Sequence, residues 1–343
     1  MPAATCRIPR QMKSHRRSLA VIFMLLPAAA LSYCDSMSHP SAAIIGAGIA
    51  GVAAARQLAD ANWDVVIFEK SRGWGGRCAT KRWEGQTIDH GAQFFTIRSE
   101  GFRKSLSSHC GDALRTIEAP VMTPEGHVLA GEPRYFHRDG NSRIVRDLGA
   151  GLTMHPGTPV EKIDNRTIRG RSFDAVISTA PLPQTLALAG LAPDASAYQP
   201  NLTLLLLYSS PVAAHLRDVY AISDPEGTLA WSASENHKPG RVEDGKTALI
   251  IQASESFSRA HLEDDPPVWS AALRTLAEDR WGMKADSILA SHPHRWRYAR
   301  VARPTPVPEL PEGWIFAGDA AGESRLESAW QAGCEAARIL MDG

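Results

Sequence analysis

The chain has 343 residues, 44% hydrophobic and 22% charged, a globular composition that sets aside disorder, collagen and coiled coil. Lys plus Arg equals Asp plus Glu at 37 each, so no bulk basic charge advertises a nucleic-acid partner. Five Cys without a C-x-x-C pair exclude a zinc ribbon, a dithiol redox motif and a disulfide scaffold.

Lys13, His15, Arg16 and Arg17 precede an apolar run over 19–31, followed by Ser32, Tyr33 and Cys34. This resembles a secretory n-region and h-region, and the run is too short for a stable membrane span. A second reading takes Met37 as the true start, five residues before the first strand, with the preceding stretch foreign to the protein. That reading is preferred and implies a cytoplasmic protein; the first implies export. Under either, 1–36 stays outside the fold.

Residues 42–45 are an apolar run of strand length, followed at once by Gly46-Ala47-Gly48-Ile49-Ala50-Gly51. An Ala-rich, helix-forming stretch over 52–58 and a second apolar strand over 65–68 complete a βαβ opening. Gly46 permits the tight turn, Gly48 lets backbone approach a pyrophosphate, and Gly51 brings the helix close to the strand. The helix N-terminus at Ile49 and Ala50 supplies N–H donors to the anion. Glu69, 21 residues after Gly48, is placed to accept from a ribose diol. After it come Lys70 and a second glycine loop, with Gly75 and Gly76 for close approach and Arg72 and Arg77 for charge.

Further along, Asp89-His90-Gly91-Ala92-Gln93-Phe94-Phe95 leads out of this domain. The stretch 97–118 is expected to be helical, with a short helix at 143–148, strands at 202–208, 229–233 and 248–253, and an amphipathic helix at 268–281. In 292–298, alternation sets His294, Trp296 and Tyr298 on one strand face and Arg295 and Arg297 on the other. The His292/His294 pair has no Cys or carboxylate at ligand spacing, so no metal is expected. A buried strand over 314–317 ends in Gly318-Asp319, and a helix over 326–341 closes the chain.

Together these pieces resemble the flavoproteins of the amine-oxidase superfamily. The resemblance implies an α/β fold, with a Rossmann-like FAD domain at 37–96, 141–190 and 291–343. It also implies a smaller α+β substrate domain on an antiparallel sheet at 97–140 and 191–290. It implies dissociable FAD, with Gly91, Ala92 and Gly318 near the cofactor and Asp319 by the ribityl chain. The Val160 backbone would meet adenine, and the helix start at Leu326, Ala329 and Trp330 would face the flavin's pyrimidine edge.

More narrowly, 70–82, 89–96, 294–300 and 318–330 resemble renalase-type oxidoreductases, although Ala320 and His90 depart from that pattern. The resemblance implies hydride transfer from aberrant dihydronicotinamide isomers of NAD(P)H to FAD, then to oxygen, giving hydrogen peroxide. The flavin would carry the chemistry, so no catalytic side chain is assigned. Gln93, Phe94, Phe95, His294, Trp296, Tyr298 and Arg325 are the expected substrate contacts. An amine oxidase or desaturase is the alternative, a non-catalytic flavin-loaded redox sensor the second; the oligomeric state stays open.

Overall fold

The computed structural model describes residues 39–343 of the chain, so the signal-like segment lies outside the described residues. The first half begins β1 (Ser41–Ile45), α1 (Ile49–Asp60), β2 (Asp64–Phe68) and a hairpin of β3 (Thr80–Trp83) with β4 (Gln86–Asp89). It continues through α2 (Glu100–Cys110), β5 (Leu114–Ile117), β6 (Val121–Met122), β7 (Arg134–His137), α3 (Ser142–Leu148) and β8 (Thr153–His155). A small hairpin, β9 (Thr167–Ile168) and β10 (Arg171–Ser172), precedes β11 (Ala175–Ser178) and α4 (Leu182–Leu188). Then come β12 (Tyr198–Tyr208), β13 (Ala221–Ser223), β14 (Trp231–Ser234), β15 (Thr247–Gln252), α5 (Glu255–Ala260) and α6 (Pro266–Trp281). The chain ends with β16 (Ile288–Val301), β17 (Trp314–Phe316) and α7 (Leu326–Asp342).

Five strands form a parallel sheet in the order β17-β11-β1-β2-β8. Its strands are apolar on both faces because both faces are covered, as parallel sheets require. In β1, Ala42 and Ile44 join the core under α1, whereas Ala43 and Ile45 join Val66, Phe68 and Phe173 on the other side. α1 is buried from Ile49 through Ala55 because α7 lies along it, and its run of alanines permits that approach.

The second sheet has the order β16-β12-β15-β14-β13-β6 and is antiparallel apart from the β13–β6 pair. Alternation along β12 splits its side chains between two environments. Leu202, Leu204 and Leu206 pack on Trp269, Leu273 and Trp281 of α6, while Leu205 and Leu207 pack on Ile88 of β4. Pro266 in the first turn of α6 and left-handed Gly282 at its end are the start and stop signals that fix this helix.

Two expectations need correction. The stretch 97–118 is not one helix: Gly111, at φ 49°, stops α2, and β5 then pairs with β7. Residues 291–301 do not belong with the parallel sheet either. β16 runs along β12 from Val301 against Tyr198 to Ile288 against Tyr208, making it the edge of the antiparallel sheet. An edge strand needs only one partner, and the long β12 supplies it.

Candidate functional site

The carboxyl ends of the parallel strands open into a cavity of about 1520 Å³ that continues under the antiparallel sheet. Its first part is built from the two glycine loops. Gly46, at φ 105°, turns the chain out of β1, and a Cβ there would lie 2.7 Å from the Thr179 hydroxyl. Gly48 is the N-cap of α1, whose first turn has no side-chain cap, and a Cβ on Gly48 would meet nothing within 4 Å. The open face therefore lies where uncapped N–H groups begin. Gly75 bridges Gly48, and its N–H donates to the Ala47 carbonyl at 3.0 Å, so the two loops form one backbone-lined wall.

Glu69 is 6% exposed and held from two sides. Its carboxylate accepts from the Ala47 N–H at 2.8 Å and the Ser71 N–H at 2.6 Å, which fixes it at the end of β2 with lone pairs to spare. Ile49, Ala50, Lys70 and Arg72 also line the cavity; Gly51 does not. It sits behind the wall, where a Cβ would fall 2.1 Å from the Gly46 carbonyl oxygen, so its role is packing. Val160 lines the cavity from an irregular segment after β8.

The far end of the wall is closed by an ion pair. Arg77 donates to both oxygens of Asp319, at 2.5 and 2.8 Å, and Ser324 donates to the same carboxylate at 2.7 Å. Burial, the largest single influence, would raise the Asp319 carboxyl; the hydrogen bonds and charge of Arg77, with the Ser324 hydroxyl, together outweigh it and hold the group below the usual range. Gly318, Leu326 and Ala329 line the cavity beside this pair, at the start of α7, whose first turn has no side-chain cap. Trp330 turns away and packs on Phe102 of α2, with ring centroids 5.4 Å apart. Gly333 brings α7 onto α1: a Cβ there would lie 2.0 Å from the Ala50 carbonyl oxygen. Gly91 is equally constrained, 2.1 Å from the Arg77 carbonyl, which lays the Gly91-Ala92 strip against the second loop.

The second part of the cavity has a sheet for its floor. Register pairs Trp231 with Gln252, Gln252 with Thr203, and Thr203 with His294, so one row crosses four strands. In the next row Asn201 pairs with Trp296. Asn201, Trp231, Gln252, His292, His294, Trp296 and Tyr298 all line the cavity. The expected alternation is present. Arg297 pairs with Glu263 at 2.6 Å, and Arg295 donates to the Asp264 carbonyl at 2.7 Å, on the face away from that row. His90 rests on the aromatic row, 4.8 Å from His294 and 5.5 Å from Trp296, whose indole N–H donates to the His90 carbonyl at 3.2 Å.

Gln93, Phe94 and Phe95 border this chamber, with different duties. Gln93 accepts from the Trp231 indole at 2.9 Å; a donor-only indole fixes which way the amide points. Phe94 sits among Tyr220, Trp231 and the Arg134 guanidinium, whereas Phe95 is 4% exposed and belongs to the core with Phe102 and Tyr135. Arg325 lines the cavity, but its charge is already engaged by Glu323 at 3.3 Å and Glu327 at 3.7 Å.

Charge in the chamber is one-sided. Burial pushes the His90 imidazole down to about 3, with His294 and Lys81 adding to the effect. Burial pushes His294 down to about 4, aided by His292 and Lys81. Both are neutral at physiological pH. Beneath the hairpin, Asp89 and Glu235 share Lys238 and Arg241 in a fully buried quartet with contacts of 2.9–3.2 Å. Sequence reasoning missed Lys81, Trp231, Gln252 and Asn201. Only Asn201 and Gln252 left a signal, as amide side chains bordering apolar strands. Cys110, His137 and Asp147 also converge, their ligand atoms within 4.8 Å of one another. Arg143, 2.7 Å from Asp147, and Arg241 on the His137 carbonyl already bring two cations to that cluster.

The geometry thus fits a dinucleotide lying along the glycine wall from Glu69 to the start of α7, with a chamber beyond its far ring. Comparison with known proteins agrees. Residues 44–105 match the NAD(P)-binding Rossmann-like domain, and residues 108–341 match the flavin containing amine oxidoreductase family. The chain is 44% identical over 139 residues to polyamine oxidase 5 of Oryza sativa subsp. japonica, covering 40% of this chain and 27% of that one. It is 48% identical over 48 residues to the zeta-carotene-forming phytoene desaturase of Myxococcus xanthus, 14% of this chain and 9% of that one. The matched segments are therefore a minor part of those relatives. Cyclohexylamine oxidase from Brevibacterium oxydans superposes with a TM-score of 0.67 at 14% identity, covering 89% of this chain and 99% of that one, a likeness of fold alone. With its two glycine loops, its α7 and a family match over most of its length, the chain belongs to the flavin containing amine oxidoreductases, enzymes whose cofactor is FAD.

Proposed function

We propose that this enzyme oxidises dihydronicotinamide isomers of NAD(P)H, reduced at an unusual ring position, and passes the electrons to oxygen. One observation carries the reading: the chamber offers a flat aromatic row and, among the described residues, no unpaired carboxylate. Of the cavity-lining acids, Asp319 is held by Arg77, Glu132 by Arg98, and Glu327 by the Arg98 and Ser99 N–H groups. Glu69 and Glu161 stand at the opposite end, with the loop after β2 and the Val160 segment. A cationic amine would find no counter-ion, whereas a flat, uncharged dihydropyridine needs only a surface to lie on.

Glu69, Gly48, Gly75, Gly76 and the first turn of α7 would hold FAD, which supplies two-electron chemistry when bound. His294, Trp296 and Tyr298 would hold the donor ring against it and exclude water. Gln93, oriented by Trp231, would fix the ring's rotation. The overall balance is donor plus oxygen plus one proton, giving the aromatic nicotinamide and hydrogen peroxide. No side chain needs to take a proton, in keeping with two imidazoles held neutral by burial.

The test is anaerobic bleaching of the holoenzyme's flavin absorbance. The 1,2- and 1,6-dihydro isomers of NAD should bleach it within seconds, and putrescine or spermidine should not. Bleaching by the amines alone overturns the reading in favour of an amine oxidase, the activity named for the rice relative. The substrate reading carries a location with it: the donor arises in the nicotinamide dinucleotide pool, which places the enzyme in the cytoplasm with translation from Met37. Intact mass of protein from fractionated host cells checks this, and a form outside the cytoplasm cleaved just after the 19–31 apolar run would contradict it.

A further inference from the structure

The cations lining the cavity are not equivalent. Arg77, Arg98, Arg297 and Arg325 each pair with a carboxylate, Lys70 and Arg295 donate to neutral oxygens, and Arg72 and Arg300 are exposed to solvent. Lys81 lines the same cavity half-buried and, among the described residues, has no hydrogen-bonding or ion-pairing partner. Its place follows from the hairpin. Lys81 and Trp83 leave the same face of β3, two residues apart, and the Trp83 ring lies 6.2 Å from the His292 ring. One step along β16 from His292 is His294, which touches His90. Lys81 and these three imidazoles therefore line the same chamber, and the ammonium charge lowers the proton affinity of His90, His292 and His294 alike.

Two half-buried neutral imidazoles beside an unpaired ammonium make a poor site for a cation. For an anion the arrangement is favourable: one full positive charge, imidazole N–H donors beside it, and no carboxylate to compete. We propose that Lys81, with His292 and His294, is where the chamber takes a phosphate group of the electron donor. The proposal rests on the dihydronicotinamide reading and deepens it. The donor is recognised at two points, its ring on the aromatic row and its phosphate on Lys81, so the enzyme selects nucleotides over bare nicotinamide rings.

The test uses FAD-saturated holoenzyme, mixed anaerobically with the 1,6-dihydro isomer of nicotinamide mononucleotide and with the corresponding riboside, which lacks the phosphate. Lys81→Met should weaken apparent binding of the mononucleotide about tenfold, leave the riboside unchanged, and leave the limiting bleaching rate of both unchanged. Lys81→Arg should restore most of the loss. An equal effect on both donors, or none on either, overturns the proposal. If neither donor bleaches the flavin, the functional reading fails separately. A calorimetric titration with inorganic pyrophosphate then decides the anion site: weaker binding in Lys81→Met supports it, and equal binding overturns it.

Discussion

Arg77 and Asp319, 242 positions apart in sequence, meet in a two-point ion pair that ties the second glycine loop to the end of β17. Asp319 is 4% exposed and also accepts from Ser324 and, at 3.4 Å, from Tyr198. One carboxylate therefore gathers the second glycine loop, the start of β12 in the antiparallel sheet and the approach to α7. Its occupied oxygens also mean that its first role is to shape the wall beside the cofactor.

Asp319→Asn should retain the shape of the side chain and lose the charge that holds Arg77. The expected cost is roughly 2–3 kcal/mol, the worth of hydrogen bonds to a charged group, with weaker retention of FAD on dilution. Thermal unfolding and flavin release by filtration measure the two effects. An unchanged melting temperature would show that Arg77 has another partner in solution.

Gly333→Ala is a sharper test because two effects oppose each other. Alanine favours a helix interior over glycine by about 1 kcal/mol. Here, however, the added Cβ would meet the Ala50 carbonyl oxygen at 2.0 Å and its carbon at 2.8 Å, backbone atoms with no rotamer to change. The clash should dominate, giving a net loss of about 1–3 kcal/mol and displacing the α7 N-terminus from the cavity. A stabilised variant with normal FAD affinity would contradict the close approach of α1 and α7.

The nucleotide end was legible because its physics is local. Gly46, Gly48 and Glu69 lie within one βαβ unit, where turn, helix start and strand end are all written in consecutive residues. The alternation in 292–298 also read correctly, since a strand's period is independent of its partner. What could not be read was pairing at a distance. Nothing in the neighbourhood of Lys238 or Arg241 announces that both neutralise Asp89, and nothing near Trp231 points to Gln93. Trp330 was misplaced because a helix start tells which residues come first, not which side of the helix meets α2. Residues 291–301 went with the FAD domain for the same reason: their alternation shows a strand and not the partner it pairs with.

The buried quartet should reveal itself by an order of effects. Burial drives the Glu235 carboxyl up to about 7, with Lys238 and Arg241 pulling the other way, while Asp89 beside the same two cations is held low. Glu235 is thus the carboxylate closer to neutrality, and Glu235→Gln should be the milder change. Lys238→Met leaves two buried carboxylates to one guanidinium and should cost roughly 3–5 kcal/mol. Denaturant melts of the two variants rank them. A Glu235→Gln variant destabilised as much as Lys238→Met would mean that Glu235 is held as a charged carboxylate in the folded protein.

The last prediction concerns acid stability and His90. This imidazole is 8% exposed, and burial holds it near 3 in the folded chain, against the ordinary 6.5 of an unfolded one. A depressed value means that the folded state binds fewer protons than the unfolded state throughout that interval. Its stabilising contribution is therefore present above pH 6.5 and is lost as the pH falls toward 3, at about 1.4 kcal/mol per pH unit. Glu235 works in the opposite sense between 4.5 and about 7, since its folded value is raised, so the wild-type slope alone is a mixture. The difference between wild type and His90→Phe separates them, because phenylalanine preserves the stack on Trp296 and cannot take up a proton. Between pH 6.5 and 4.5 the variant's unfolding free energy should fall less steeply by about 1.4 kcal/mol per unit. Parallel slopes would show that His90 is accessible to protons in the folded protein, and that the aromatic row is looser than its packing indicates.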